Sequence, residues 1–308
     1  MTQQQSWYAH GKLLVTGEYL VMKGAQGLAL PLKQGQSLHV EQIQSKQAEL
    51  IWIADHPQGN WFRSRHTLPD LKDVESTRQE LSHKLTNILQ AIRQLNPDFL
   101  NGNQSFRVHT RLEFNPEFGF GSSSTLLANL ARWAQVDPYA LQFSIWGGSA
   151  YDIACARADG PILYSLKNGR PAVQPVRFNP PFRHHLYFVY LGHKQRTTKS
   201  IRYFKDNARF SADVLEHISA ISHEITQTSD LKSFNRLINE HEKIIAKVMG
   251  LPTVKEKLFA KAPFQVKSLG AWGGDFVLIS SEWPKNKLCQ YLKKSGFDIC
   301  FTWDDLIL

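Results

Sequence analysis

Apolar and polar positions alternate over several short stretches: Leu13 to Met22, His39 to Ile43, Glu49 to Ile53 and Phe106 to Phe114. A period near two predicts strands, and the Gly and Gln turns between them predict that they form a sheet. Two stretches change period. Glu75 to Leu95 carries Leu81, Leu85, Ile88, Leu89 and Ile92 at helical spacing, and Ser123 to Ala134 carries Leu126, Leu127, Leu130 and Trp133. Each predicts a helix with one face on that sheet. Asp137-Pro138 predicts an N-cap and a first-turn proline for a helix that Gly147-Gly148 closes, after which Ser149 can cap the next. Pro175, Pro180 and Pro181 then disfavour continuous helix or central strand, which predicts a domain boundary separating 1–180 from 181–308. Beyond it the pattern predicts a strand at Leu186 to Leu191 and two long helices. The clearer, Leu231 to Val248, puts Leu231, Phe234, Leu237, Ile238, Ile244, Ile245 and Val248 on one face. Strands at Gln265 to Leu269 and Phe276 to Ser280, a helix at Lys285 to Lys294 and a last strand at Asp298 to Trp303 complete an α+β arrangement.

Composition narrows the picture. The 308 residues are 42% hydrophobic, enough for about two domains with substantial cores. A net charge of +9 attracts anions of any kind. Lys and Arg are dispersed among acids and no nucleic-acid-binding signature is present, so the expected partner is not a nucleic acid. No apolar run reaches the ~18 residues that cross a bilayer, and the polar start, Met1 to His10, lacks the features of a secretory leader. The expectation is a cytoplasmic protein with no membrane partner, as monomer or homodimer. Cys155, Cys289 and Cys300 have no paired metal-ligand spacing and read as reduced thiols.

Four motifs carry candidate chemistry. Gly119-Phe120-Gly121-Ser122-Ser123-Ser124 follows a predicted strand and enters a predicted helix. Glycines let a backbone approach a phosphate, and the first helical turn presents free amides and the positive end of the dipole. A serine hydroxyl there can also ligate magnesium. An ordinary flexible turn with a serine cap has the same sequence. The second motif, Gly270-Ala271-Trp272-Gly273-Gly274, follows Lys267-Ser268 between two strands, where a hairpin loop is the plain alternative. The third is His10-Gly11-Lys12 followed by Gly17-Glu18-Tyr19, which also suits an edge-strand lysine and a buried tyrosine. In the fourth, Gly147-Gly148-Ser149-Ala150-Tyr151-Asp152, the aspartate lies three residues after a capping serine and suits a capping box equally well.

In this order the four motifs resemble those of the GHMP kinase superfamily of galactose, homoserine, mevalonate and phosphomevalonate kinases, and the resemblance spans most of the chain. Ser149-Ala150-Tyr151-Asp152-Ile153-Ala154 is close to a bacterial subgroup with a Gly-Tyr-Asp-Ile-Ala signature. The resemblance implies a two-domain fold, with a left-handed βαβ unit in the N-terminal domain and a ferredoxin-like C-terminal domain. It implies ATP on Gly119, Phe120, Gly121, Ser122, Ser123 and Ser124, with Ser123 ligating Mg2+. Asp152 matches the aspartate that accepts or orients the acceptor proton, and Lys12 the lysine that stabilises developing charge. Glu18, Tyr19, Gly273 and Gly274 match the acceptor side. The basic loop from Gly192 to Ser200, with Lys194 and Thr197, resembles the segment facing a carboxylate or phosphate and reads equally as a solvated loop.

The chain departs from that pattern in places. His10 stands where proline is usual, Trp272 replaces a glycine, and Leu141-Gln142 occupies the neighbourhood of a magnesium-binding glutamate. Glu18-Tyr19 and Gly274-Asp275 look closer to phosphomevalonate than to mevalonate kinases. The expected activity is phosphoryl transfer from ATP to a small anionic alcohol or phosphate ester, mevalonate or phosphomevalonate first. An ATP-dependent decarboxylase of the same superfamily and a non-catalytic nucleotide-binding homologue are the alternatives.

Overall fold

A computed structural model describes residues 4–192, 197–270, 272 and 274–308. The chain forms two compact units, neither of them a single span. The first comprises residues 1–11, 34–116 and 120–157, and the second comprises 12–33, 117–119 and 158–308. Among the described residues no helix is long and apolar enough to cross a membrane.

The first unit is built on strands β1 (Gln4–Leu14), β2 (Gly27–Ile43), β3 (Glu49–His56), β4 (Gly59–Thr67), β5 (Asp73–Ser76) and β6 (Ser105–Leu112). They run in the order β5-β4-β3-β6-β2, with β1 also paired to β2. β3 and β6 are parallel, and helix α1 (Gln79–Leu95) lies in the connection between them, which makes this the βαβ unit. Leu85, Ile88, Leu89 and Ile92 of α1 are buried at the spacing the sequence predicts. With Trp52, Val40 and Val108 from the sheet and Leu127 and Leu130 from α2 (Ser122–Ala134), they form one apolar core. Helices α3 (Pro138–Ile145) and α4 (Tyr151–Ala156) follow.

The expected strand from Leu13 to Met22 is not formed. β1 ends at Leu14, and the chain turns through Gly17 and Tyr19, both at positive φ, into a 3-10 helix at Leu20–Lys23. Alternation there reflects a buried turn, whose side chains are covered on every side.

In the second unit the start of β2 pairs with β7 (Ile162–Lys167), and β7 with β8 (Arg170–Pro175). β8 ends the sheet order, so Pro171 and Pro175 sit in an edge strand, where a missing amide donor costs no ladder bond. A second sheet contains β9 (Leu186–Tyr190), β10 (Gln265–Leu269), β11 (Phe276–Ser280) and β12 (Cys300–Thr302), in the order β10-β11-β9-β12 and antiparallel throughout. Helices α5 (Thr197–Asn207), α6 (Ala212–Gln227), α7 (Leu231–Met249) and α8 (Val254–Leu258) separate β9 from β10. α9 (Lys285–Lys294) separates β11 from β12, and α10 (Trp303–Leu306) follows. A four-stranded sheet with the first strand between the third and fourth, and helical crossovers at both connections, is the ferredoxin-like arrangement. α7 is capped at both ends. The Asp230 side chain accepts from Ser233 N at 2.8 Å, and Gly250 at φ 65 closes the C-terminus.

Candidate functional site

The loop before α2 is shaped by two left-handed glycines, Gly119 at φ 70 and Gly121 at φ 92. Gly121 is the N-cap residue and no side chain caps the helix. The amides of the first turn therefore have no intrahelical partner and face outward with the positive end of the dipole. The three serines differ. Ser124 is buried and its hydroxyl donates to Gly121 O at 2.9 Å, so it holds the turn together. Ser123 is exposed and Ser122 half-buried. Phe120 is fully buried and meets Phe114 edge-on at 5.6 Å, so its ring anchors the loop.

Ser122 and Ser123 open onto a cleft of about 120 Å³. Its walls include Trp52, Trp61, Phe62, Leu85 and Trp146, with Gln36 and Lys84 among the few polar side chains. Trp52 is buried, whereas Trp146 remains 48% exposed at the rim. The Lys84 ammonium is 2.6 Å from Glu80 Oε1. The sequence reading missed every one of these wall residues. Tryptophans within two strand-like runs were the available signal.

α3 begins as expected, with Asp137 Oδ1 accepting from Tyr139 N at 2.7 Å and Ala140 N at 2.9 Å. The next helix does not. Its N-cap residue is Ala150 at φ 58 rather than Ser149, and no side chain caps it. Asp152 is thus the second helical residue, and the capping-box reading is withdrawn. Its half-exposed carboxylate has Ile153 N at 3.2 Å.

Among the sequence-predicted residues of the second unit, Lys12 lies at the end of β1 and donates from Nζ to Gly119 O at 2.9 Å. A side chain at Gly119 would require Asp275 to move. A Cβ there would stand 1.8 Å from Asp275 Oδ2. Gly274 is equally confined, its Cβ position lying 2.7 Å from Phe276 O. Lys194 and Gly273 lie outside the described residues, and Thr197 is the first residue of α5.

Glu18 and Tyr19 lie in the buried turn after β1. The Glu18 side chain is fully enclosed, paired with Lys267, whose ammonium also lies 3.1 Å from Glu242 Oε1 and 2.9 Å from Ser268 O. His241 completes the group. Its Nε2 accepts from Gly17 N at 2.9 Å and lies 3.2 Å from Glu18 Oε2. The ligand atoms of Glu18, His241 and Glu242 are close enough together to hold a metal ion, but the Lys267 ammonium already supplies positive charge there. Burial, followed by the neighbouring Glu242, pushes the Glu18 carboxyl up to about 7 against the opposing pull of Lys267. Burial, with Lys267 beside it, holds His241 neutral, well below the usual histidine range. Tyr19 is also buried. Its hydroxyl accepts from Trp272 N at 2.6 Å and its ring stacks on Phe204 at 5.2 Å. Both residues build the turn.

No family model matches the chain, and no curated protein matches it in sequence. The fold, however, is that of the GHMP kinases, with the βαβ unit and the ferredoxin-like sheet in their expected places in the chain. Similar solved structures include mevalonate kinase from L. major in complex with R-mevalonate, at TM-score 0.68 and 15% identity, covering 98% of this chain and 95% of that one. Streptococcus pneumoniae phosphomevalonate kinase with phosphomevalonate and AMPPNP matches at TM-score 0.69 and 15% identity, covering 97% and 99%. Mevalonate diphosphate decarboxylase from Staphylococcus aureus matches at TM-score 0.59 and 16% identity, covering 100% and 95%.

Proposed function

We propose that this chain is an ATP-dependent small-molecule kinase acting on a small anionic alcohol or phosphate ester, with mevalonate and phosphomevalonate as the first acceptors to try. One observation carries the reading: an uncapped helix N-terminus, entered through left-handed glycines, opens beside an aromatic cleft. The amides of Ser122, Ser123 and Ser124 would receive the phosphates, and the exposed Ser123 hydroxyl would contribute one oxygen to a Mg2+ otherwise held by phosphates and water. When bound, that ion supplies charge neutralisation on the phosphates. The Lys12 ammonium, held at the carbonyl that begins the loop, would stabilise charge developing on the transferred group. Asp152 would take the hydroxyl proton of the acceptor as its oxygen bonds to the γ-phosphorus and ADP leaves.

The test is to incubate purified protein with ATP and Mg2+ against mevalonate, both of its phosphorylated forms, homoserine and sugars. A phosphorylated acceptor is expected; phosphate release without one would indicate the decarboxylase reaction. On the acceptor found, Asp152→Asn should lower turnover by ~10²–10⁴ with the melting temperature nearly unchanged. Activity within a few-fold of wild type would remove Asp152 from the mechanism.

A further inference from the structure

Gln36 is a buried wall residue of the cleft whose side-chain amide can present either a donor or an acceptor. Its backbone is fixed, with Asn129 Nδ2 donating to Gln36 O at 2.8 Å, and the residue is buried. The side-chain amide meets Thr125 Oγ1 at 2.7 Å, and the same hydroxyl lies 3.0 Å from Ser122 O. A hydroxyl has one proton to give. If Thr125 donates to Gln36 Oε1, the amide N–H₂ end remains to serve the cleft. If Thr125 donates instead to Ser122 O, its oxygen can accept from a reversed amide, and the carbonyl end remains. Both arrangements satisfy Thr125 and one end of Gln36 with heavy atoms in the same positions.

Adenine and guanine differ in this sense along one edge. The six-position substituent donates in adenine and accepts in guanine. Trp61 and Trp146 offer ring faces on which bases of either kind can stack, while Lys84 is engaged by Glu80. We propose that the cleft takes purine nucleotides as a class, with Gln36 reversing its amide through the Thr125 hydroxyl to suit adenine or guanine. This rests on the nucleotide reading above and specifies which nucleotides that site accepts.

Calorimetry on the full chain with Mg2+ tests it, using ATP, GTP and inorganic tripolyphosphate. ATP and GTP are expected to bind within about three-fold of each other and tripolyphosphate at least about thirty-fold more weakly, since it forgoes stacking. Gln36→Glu fixes an acceptor in place of the amide and should shift the ratio about ten-fold toward ATP, the cost of opposing two acceptors in a buried site. Gln36→Met keeps the shape, and should weaken both nucleotides by a similar factor. A wild-type preference above ten-fold for one purine would overturn the proposal. So would an unchanged ratio in folded Gln36→Glu, or unchanged affinities in Gln36→Met if the Glu variant fails to fold. Binding of no nucleotide at all by wild type would instead defeat the kinase reading, and this inference with it.

Discussion

The cleft of the first unit and the charged group of the second place costly side chains in opposite settings. In the cleft, a tryptophan that could be buried stays half in water beside Ser122 and Ser123. In the charged group, a lysine and two glutamates that could be hydrated are closed off, each answered by another charge or a backbone group. Exposed apolar surface with nothing on it points to a ligand. Buried charge that is answered by opposite charge points to architecture. Glycine motifs lead to both regions, and only the burial of their neighbours tells them apart.

The sharpest way to break the comparison is Lys267→Met. Removing the ammonium leaves two enclosed carboxyls facing each other, and losing one partner of a buried pair costs about 3–5 kcal/mol. Chemical denaturation at pH 8 should show that loss, and adding Glu18→Gln and Glu242→Gln should recover most of it. A loss below about 1 kcal/mol would mean that the group contributes nothing to the architecture.

A smaller effect separates the two titrating members. With its carboxyl raised to about 7, Glu18 keeps its proton in the fold between about pH 4.5 and 7, where the unfolded chain has released it. Its contribution to stability therefore falls as pH rises through that window. His241, neutral in the fold, acts oppositely below its ordinary value of 6.5, because the unfolded chain binds a proton that the folded one excludes. In wild type the two slopes offset each other. Glu18→Gln removes one of them, so its stability relative to wild type should climb by about 1 kcal/mol per pH unit from pH 5 to 7 and then level off. A flat difference across that range would show that Glu18 is ionised in the fold throughout.

Smallest of the three, Trp146→Ala should leave the melting temperature within about 2 °C, since the residue is 48% exposed, while weakening nucleotide binding about ten-fold through lost stacking. Equal affinity would mean that the rim of the cleft does not touch the ligand.

Periodicity made β10, β11 and α9 legible to the residue and α1, α2 and α7 to within a few positions, because each buries one face at a fixed repeat. β7 and β8 escaped notice, the first as a short continuous apolar run and the second as a proline-bearing edge. The phosphate loop was legible because a glycine turn entering a helix is local. The cleft walls were not, since Trp52, Leu85, Ser123 and Trp146 come together only by tertiary packing. The pairing of Glu18 with Lys267 was illegible for a related reason: the two lie 249 residues apart, and no local pattern announces a buried ion pair.

The discontinuity of the units has a consequence for synthesis. Residues 12–33 belong to the second unit, where Gly17 meets His241, Leu32 bridges to Ile307 and Leu308 N bonds to Pro31 O. A ribosome delivers His241 a full 224 residues after Gly17. Contacts so far apart along the chain fold slowly, and nascent apolar residues such as Leu20, Val21, Leu28 and Leu30 must wait uncovered until the carboxyl-terminal strands emerge. Refolding of this protein should accordingly be slow for its size and sensitive to concentration, with holdase chaperones improving the yield.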